Sequence, residues 1–305
     1  MELIKPGTNL NFVGRMKLAS FASVIVITIS IVSLLFHGGP NLGIDFAGGT
    51  QVQIKFENKT EVKDIRDSLT TISLGKSIIQ QFGYKDNNEF LIKTEKSSSE
   101  IKGLSTSIEE ALTAQFGKDA FEVRRVEVVG PKVGKDLRQK GMLAMIYAII
   151  GILIYITWRF EFRYAIGAII ALVHDVLITV GIFSLLDKEF SLPIIAALLT
   201  IIGYSLNDTI VVYDRIRENL RKVRRQKLGE VVNSSINQVL SRTILTSGTT
   251  LLVVGALFFL GGAVIHDFAF ALLVGVVVGT YSSIFIASPT IIAWETVWPS
   301  KKKRK

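Results

Sequence analysis

The chain has no cysteine among its 305 residues, which excludes a disulfide framework and a thiolate metal site. It also has no glycine-rich phosphate loop, no zinc-ligand spacing and no nucleophile–base arrangement, so the reading is of a protein that is not an enzyme and holds no cofactor. A third deficit is of charge. Six stretches, at about 18–36, 141–158, 165–186, 192–213, 243–261 and 268–293, are almost free of it over the roughly 20 residues that a helix needs to cross a bilayer. They raise the hydrophobic share to 49% and the mean hydropathy to +0.43, beyond an ordinary soluble protein. Arg15 and Lys17 precede the first stretch as they would in a signal peptide. No small-x-small cleavage site follows it before His37-Gly38-Gly39-Pro40, so it reads as a retained helix.

What charge there is sits in particular places. The net charge of +9 is carried by Lys5, Arg15 and Lys17, by Arg159 and Arg163, by the run from Arg215 to Lys227, and by Lys301 to Lys305. If the six stretches alternate across the membrane, all these segments share one side. The short loops opposite hold Lys188 and, between the fifth and sixth stretches, no Lys or Arg at all. The positive-inside rule then predicts a multi-pass protein of the cytoplasmic (inner) membrane with both termini in the cytoplasm. A basic chain can also signal nucleic-acid binding, but topology accounts for the charge here and no nucleic-acid partner is expected.

The expected division is a cytoplasmic N-terminus and first helix at 1–37, an extracytoplasmic domain at 38–140, helices two to six at 141–298 with a helical cytoplasmic loop at 214–241, and a basic tail at 299–305. The outer segment is large enough for a small domain. Ile44 to Phe56 ends in strand-like alternation, Thr60 to Leu74 has helical spacing, and Ser77–Gly83 and Glu89–Thr94 are two short strands joined through Tyr84 to Asn88. Ser97 and Glu100 fit a capping box for a helix ending at Gly117, and Phe121 to Val129 alternates again. The order β-α-β-β-α-β is the ferredoxin-like pattern. The predicted fold is thus an α-helical integral membrane protein: a six-helix bundle with an α+β ferredoxin-like outer domain between helices one and two. In the loop at 214–241, Val231, Val232, Ile236, Val239 and Leu240 form an apolar stripe, which either lies in the membrane interface or packs on the bundle.

Asp208 stands inside the fourth stretch. A charged group at a helix centre costs on the order of 2.5 kcal/mol or more in a bilayer, so an acid retained there is a functional candidate. Arg242 opens the fifth stretch. If the two helices are antiparallel neighbours, acid and base lie at similar depth, either as a proton-coupling pair or as static glue. A carboxylate removed from water favours its neutral form and a guanidinium beside it favours the charged form, so a pair that separates and rejoins would load and unload a proton. Thr246, Thr249 and Thr250 fall near one face with Arg242 and either line a water path or bond their own backbone. His174 and Asp175, near the middle of the third stretch, point about 100° apart on a helix and form either a relay or a structural pair. His266-Asp267 marks a proton inlet or a solvated turn. Asp45, Gly48 and Gly49 after the first stretch, and Gly130-Pro131 before the second, read as turns that couple the outer domain to the membrane. Gly275 and Gly279 fit small-xxx-small helix packing.

Several runs together carry a resemblance: Gly43-Ile44-Asp45-Phe46-Ala47-Gly48-Gly49-Thr50, Val129-Gly130-Pro131-Lys132-Val133-Gly134, Gly203-Tyr204-Ser205-Leu206-Asn207-Asp208-Thr209-Ile210-Val211-Val212-Tyr213-Asp214-Arg215, and Ser241-Arg242-Thr243-Ile244-Leu245-Thr246-Ser247. In order and over essentially the whole chain they closely resemble the SecF branch of the SecD/SecF protein-export family, which is RND-like. Ala47 departs from the threonine common in that motif. The resemblance implies a heteromeric complex with SecD, a place beside the SecYEG channel and SecA, an unfolded polypeptide as the moving substrate, and use of a proton gradient, or a sodium one, without ATP. It also implies a proton pathway through Asp208 and Arg242, to which Asn207, Thr246, His174 and Asp175 are added as neighbours. Two other classes stay open: a half-size RND-like exporter of small molecules, and a docking subunit that moves no ion.

Overall fold

In the computed structural model of the protein, residues 8–82, 88–94, 103–222 and 226–298 are described. Among them are six helices long and apolar enough to cross a membrane: α1 (Phe12–Phe36), α5 (Pro131–Arg159), α6 (Phe162–Leu185), α7 (Leu192–Lys222), α8 (Leu228–Leu260), and a last span in which α9 (Ala263–Ser282) passes through a π-helical turn, Ser283–Ala287, into α10 (Ser288–Val297). The turn precedes Pro289, which has no N–H to return to the previous turn. The carbonyls there find side-chain donors instead. Ser288 Oγ donates to the Ser283 carbonyl at 3.0 Å, and Tyr213 Oη to that of Ala287 at 3.1 Å.

The bundle is built inside out relative to a water-soluble one. The buried positions of α1 include Ser23, Ser30 and Ser33, while Leu18, Phe21, Val24, Val32 and Leu35 are exposed. Lipid is as apolar as leucine, so membrane helices associate through small residues and close backbone approach. Ser30 packs on Gly181 of α6 so closely that a Cβ at Gly181 would stand 2.1 Å from the Ser30 Cβ. One turn on, Ser33 Oγ and Ser184 Oγ bond at 2.8 Å. Gly275 and Gly279 of α9 let α7 approach at Ile201 and Ser205, the packing that their spacing suggests. The start of α1 is held from far along the chain: Asn233 Oδ1 accepts from the Phe12 amide at 2.8 Å and Asn237 Oδ1 from that of Leu10 at 2.8 Å.

The outer domain contains β1 (Gly49–Phe56), α3 (Val62–Thr70), β2 (Ile78–Phe82), β3 (Glu89–Thr94), α4 (Leu104–Phe116) and β4 (Phe121–Val129). Its antiparallel sheet has the order β2-β3-β1-β4, the ferredoxin-like arrangement. Val52, Ile54 and Phe56 of β1 point to the side covered by α3 and α4, where Ile65, Leu69, Ile108 and Leu112 complete the core. Gln51, Gln53, Lys93, Arg125 and Glu127 line the other face, across a cleft of about 840 Å³ from the outer ends of α7 and α9.

Three boundaries differ from the sequence reading. Ile44–Ala47 is a helical turn, α2, and the strand starts only at Gly49, because Gly48 breaks the chain direction at φ +79°. The second span starts at Pro131, so 131–140 is a polar helix extension and not part of the outer domain's sheet. The segment 214–241 is largely α7 and α8 running on past the membrane, with Glu218 pairing both Arg215 and Lys222 at 2.6 Å. Val231, Val232, Ile236 and Leu240 are buried, so that stripe packs on the bundle. The expected turn at Tyr84–Asn87 and the capping box at Ser97 and Glu100 lie outside the described residues.

Candidate functional site: two buried carboxylates

Asp208 lies on the inner face of α7, 7% exposed. Its Oδ1 accepts from Thr243 Oγ1 of α8 at 2.7 Å, and its Oδ2 accepts from Ser283 Oγ at the start of the π-turn. Asp175 of α6 is fully buried. Its Oδ2 accepts from Ser205 Oγ of α7 at 2.6 Å and from Ser282 Oγ of α9 at 2.8 Å, and its Oδ1 lies 2.8 Å from His174 Nδ1. Ser205 is three residues before Asp208, hence one turn away on the same face of α7. The two acids are therefore about one helical turn apart in depth and are bonded by consecutive serines, 282 and 283. The network continues outward: His174 Nε2 is 3.2 Å from Ser23 Oγ, which is 2.9 Å from Tyr281 Oη, which donates to the Ala19 carbonyl at 2.7 Å. The His174 and Tyr281 rings stack at 6.0 Å.

The expected ion pair of Asp208 with Arg242 is not formed among the described residues. Depth is as the antiparallel arrangement requires, since Thr243 reaches Asp208. However, adjacent helical residues point about 100° apart, and with Thr243 turned inward Arg242 is exposed on the outside of α8. Asn207 is exposed too. Thr246, Thr249 and Thr250 do not reach Asp208. Each donates to a carbonyl of its own helix, Thr246 to Arg242 and Thr243, Thr249 to Leu245 and Thr246, Thr250 to Thr246. His174 and Asp175 bond each other, Nδ1 to Oδ1, despite their angular separation. The sequence reading gives no role to the hydroxyls of Thr243, Ser205, Ser282, Ser283 and Ser23. The signal for two of them was Tyr281-Ser282-Ser283, a polar triplet in the middle of the last apolar run.

The residues assigned to domain coupling meet at one point. Asp45 Oδ2 accepts from the Leu192 amide at 2.8 Å, so a residue of α2 caps the first turn of α7, the helix that carries Asp208. Gly48, at φ +79°, lies so close to Pro131 that an added Cβ would be 2.9 Å from the Pro131 Cα; Gly49 is also at positive φ. Gly130 precedes the first turn of α5 and Pro131 is its first residue. The loop before α7 is tied to the same place, with the Gly43 amide donating to the Phe190 carbonyl at 3.0 Å and the Phe190 amide to that of Asn41 at 2.7 Å. From the sheet, Lys93 pairs with Glu189. Burial in the cleft pushes the Lys93 ammonium below its ordinary range, with Asp267 opposing. Asp267 itself pairs with Lys188 at 2.5 Å, an ion pair at the cleft rim.

Six membrane-length helices, a ferredoxin-like domain set between the first two, and a pair of hydroxyl-bonded carboxylates buried in the bundle define a multi-pass membrane protein with a polar intramembrane core. The profile described as "Protein export membrane protein SecD/SecF, C-terminal" matches residues 108–297, and that of the "SecD/SecF GG Motif" matches residues 33–60. The chain is 51% identical over 295 residues to the protein translocase subunit SecF of Magnetococcus marinus, covering 96% of this chain and 94% of that one. It is 45% identical over 289 residues to the SecF of Vibrio alginolyticus, covering 94% and 90%. The crystal structure of SecDF from Thermus thermophilus matches 95% of this chain at 41% identity and a TM-score of 0.85. This chain spans 39% of that one. SecDF in a super-membrane-facing form matches 97% of the chain at 42% identity and a TM-score of 0.71. The chain belongs to the SecD/SecF family of protein-export membrane proteins.

Proposed function

We propose that this chain is a subunit of the Sec protein translocase that joins a SecD subunit and uses proton movement through Asp208 to drive its outer domain. The observation that carries this reading is that two acids are buried at the junction of α6, α7, α8 and α9 with hydroxyls and one imidazole as partners and no cation paired to them among the described residues. Fixed charges in such a place are costly, and groups that gain and lose a proton there suit a transport cycle. Asp45 supplies the mechanical link. It caps α7 sixteen residues before Asp208, about 24 Å along the helix, so a shift of that helix is felt at the foot of the outer domain. The face of α8 that exposes Arg242 and Thr246, and Asn207 on α7, is the surface for the SecD subunit. There Arg242 acts on the Asp208 proton from the partner-facing side. The complex works beside SecYEG and SecA in the inner membrane, on an unfolded polypeptide emerging at the far face.

The test is export into vesicles holding the complex with SecD under a set pH gradient or, separately, a sodium gradient. Asp208→Asn should abolish the pH-driven component and leave assembly intact, since an amide can still accept from Thr243. Full gradient-driven export by this variant would sink the reading; dependence on sodium alone would replace the ion. Orientation is checked by a cysteine at Gln226, which should label only from the cytoplasm. Labelling from outside in sealed cells would reverse the topology.

A further inference from the structure

The partners of the two acids repeat a pattern. Each carboxylate has one hydroxyl donor whose only acceptor among the described residues is that carboxylate: Thr243 for Asp208, Ser205 for Asp175. Each also has one donor with a second acceptor in its own helix. Ser283 Oγ lies 2.9 Å from the Thr280 carbonyl as well as on Asp208, and Ser282 Oγ lies 3.1 Å from the Gly279 carbonyl as well as on Asp175. An ionised carboxylate accepts only, whereas a protonated one must donate. A hydroxyl with nowhere else to turn opposes that change, because two donors would then face each other in a dry interior.

We propose that Ser283 and Ser282 are hydroxyl switches that keep Asp208 and Asp175 hydrogen-bonded in both protonation states. This rests on the reading of Asp208 as the proton carrier. When Asp208 takes up a proton at Oδ2, the new O–H donates to Ser283 Oγ, and the Ser283 hydrogen turns to the Thr280 carbonyl. Release reverses both rotations; the only covalent change is the transfer of one proton between the carboxyl oxygen and a hydronium ion delivered by the gradient, which becomes water on uptake and is re-formed on release. At Asp175 Ser282 can turn to the Gly279 carbonyl in the same way, while Ser205 keeps donating to the same oxygen, Oδ2. Because the serines are consecutive, at the junction of α9 with the π-turn, a displacement of that junction acts on both acids together. The groups facing the pair are Thr243 on α8, Ser205 on α7 and His174 on α6, with Tyr281 stacked on the histidine. The nearest basic side chain in sequence to these contacts, Arg242, is turned outward. Ser282 and Ser283 are positioning residues: they hold the acids and do not keep the proton.

The experiment uses the full chain with its SecD subunit in vesicles and compares Ser283→Thr with Ser283→Val, which have the same shape and differ by the hydroxyl. Ser283→Ala adds no bulk and stands in if neither β-branched variant assembles. Gradient-driven export and the infrared carboxyl band of Asp208, assigned by its loss in Asp208→Asn, are both read. Ser283→Val and Ser283→Ala should assemble, export about 10- to 100-fold more slowly, the factor of a hydrogen bond to a charged group, and shift the band. Ser283→Thr should keep both near those of the unmodified protein. Equal behaviour of Thr and Val, wild-type export by Ser283→Ala, or an unmoved band overturns the switch while leaving Asp208 as carrier. Export that survives Asp208→Asn removes the carrier itself, and the switch with it.

Discussion

Gly48→Ala is the sharpest perturbation of the link between outer domain and bundle. Gly48 sits at φ +79°, ψ 167°, a region essentially reserved for glycine, where a side chain costs about 1–3 kcal/mol. The added methyl would also stand 2.9 Å from the Pro131 Cα and 3.3 Å from the Val129 carbonyl oxygen, both backbone atoms that cannot rotate away. The contact is relieved by moving α2 off the start of α5, which draws the Asp45 carboxylate from the Leu192 amide. Such a bond to a charged group contributes about 1.5–3 kcal/mol. Together the local structure should lose about 2.5–6 kcal/mol, so amide exchange in 189–194 should quicken by at least about 70-fold. Hydrogen exchange read by mass spectrometry on the protein in nanodiscs measures this, with the β1 peptide, 49–56, as an internal reference. Gly130→Ala is the control. It has φ −67° and no atom within 4 Å of an added Cβ, so it should change exchange by less than about threefold. Unchanged exchange at 189–194 in Gly48→Ala, or equal effects of the two variants, would refute the close packing of Gly48 on Pro131 as the cause.

Arg242→Met should leave the stability of the isolated chain within about 0.5 kcal/mol of the original, because Arg242 pairs with no acid among the described residues, yet lose gradient-driven export once SecD is present. A destabilised isolated chain would mean the arginine is already engaged within the bundle. Gly181→Leu should force α1 off α6 at Ser30 and lower stability by about 1–3 kcal/mol, read by thermal unfolding in nanodiscs. An unshifted transition would contradict the close contact.

The spans and the outer domain were legible because their signals are periodic. Glu89–Thr94 and Phe121–Val129 have as strands the bounds that alternation gives them. Six apolar runs appear as six membrane-length helices. Less legible were places where one residue serves two structures. Nothing in Ile44 to Phe56 marks α2, since a single glycine conformation at position 48 creates it. Asp208 was conspicuous by cost alone. Its neighbours were not, because serine and threonine are common in membrane helices and usually bond their own backbone, as Thr246, Thr249 and Thr250 do. Choosing Thr243 over Arg242 as the partner required the rotation of α8, which composition does not contain.

The order in which the chain is made gives the serines of the last span another meaning. α6 and α7 enter the membrane carrying Asp175 and Asp208 before Ser282 and Ser283 have been synthesised, and Ser23 waits 258 residues for Tyr281. A chain arrested after α8 therefore holds two acids that lack half of their hydroxyl donors. It also leaves α1 without the neighbour that closes the Ser23–His174 chain. Completion of the sixth helix is the event that makes the interior chemically whole. An incomplete subunit thus differs from a finished one by polar groups left open within the bilayer.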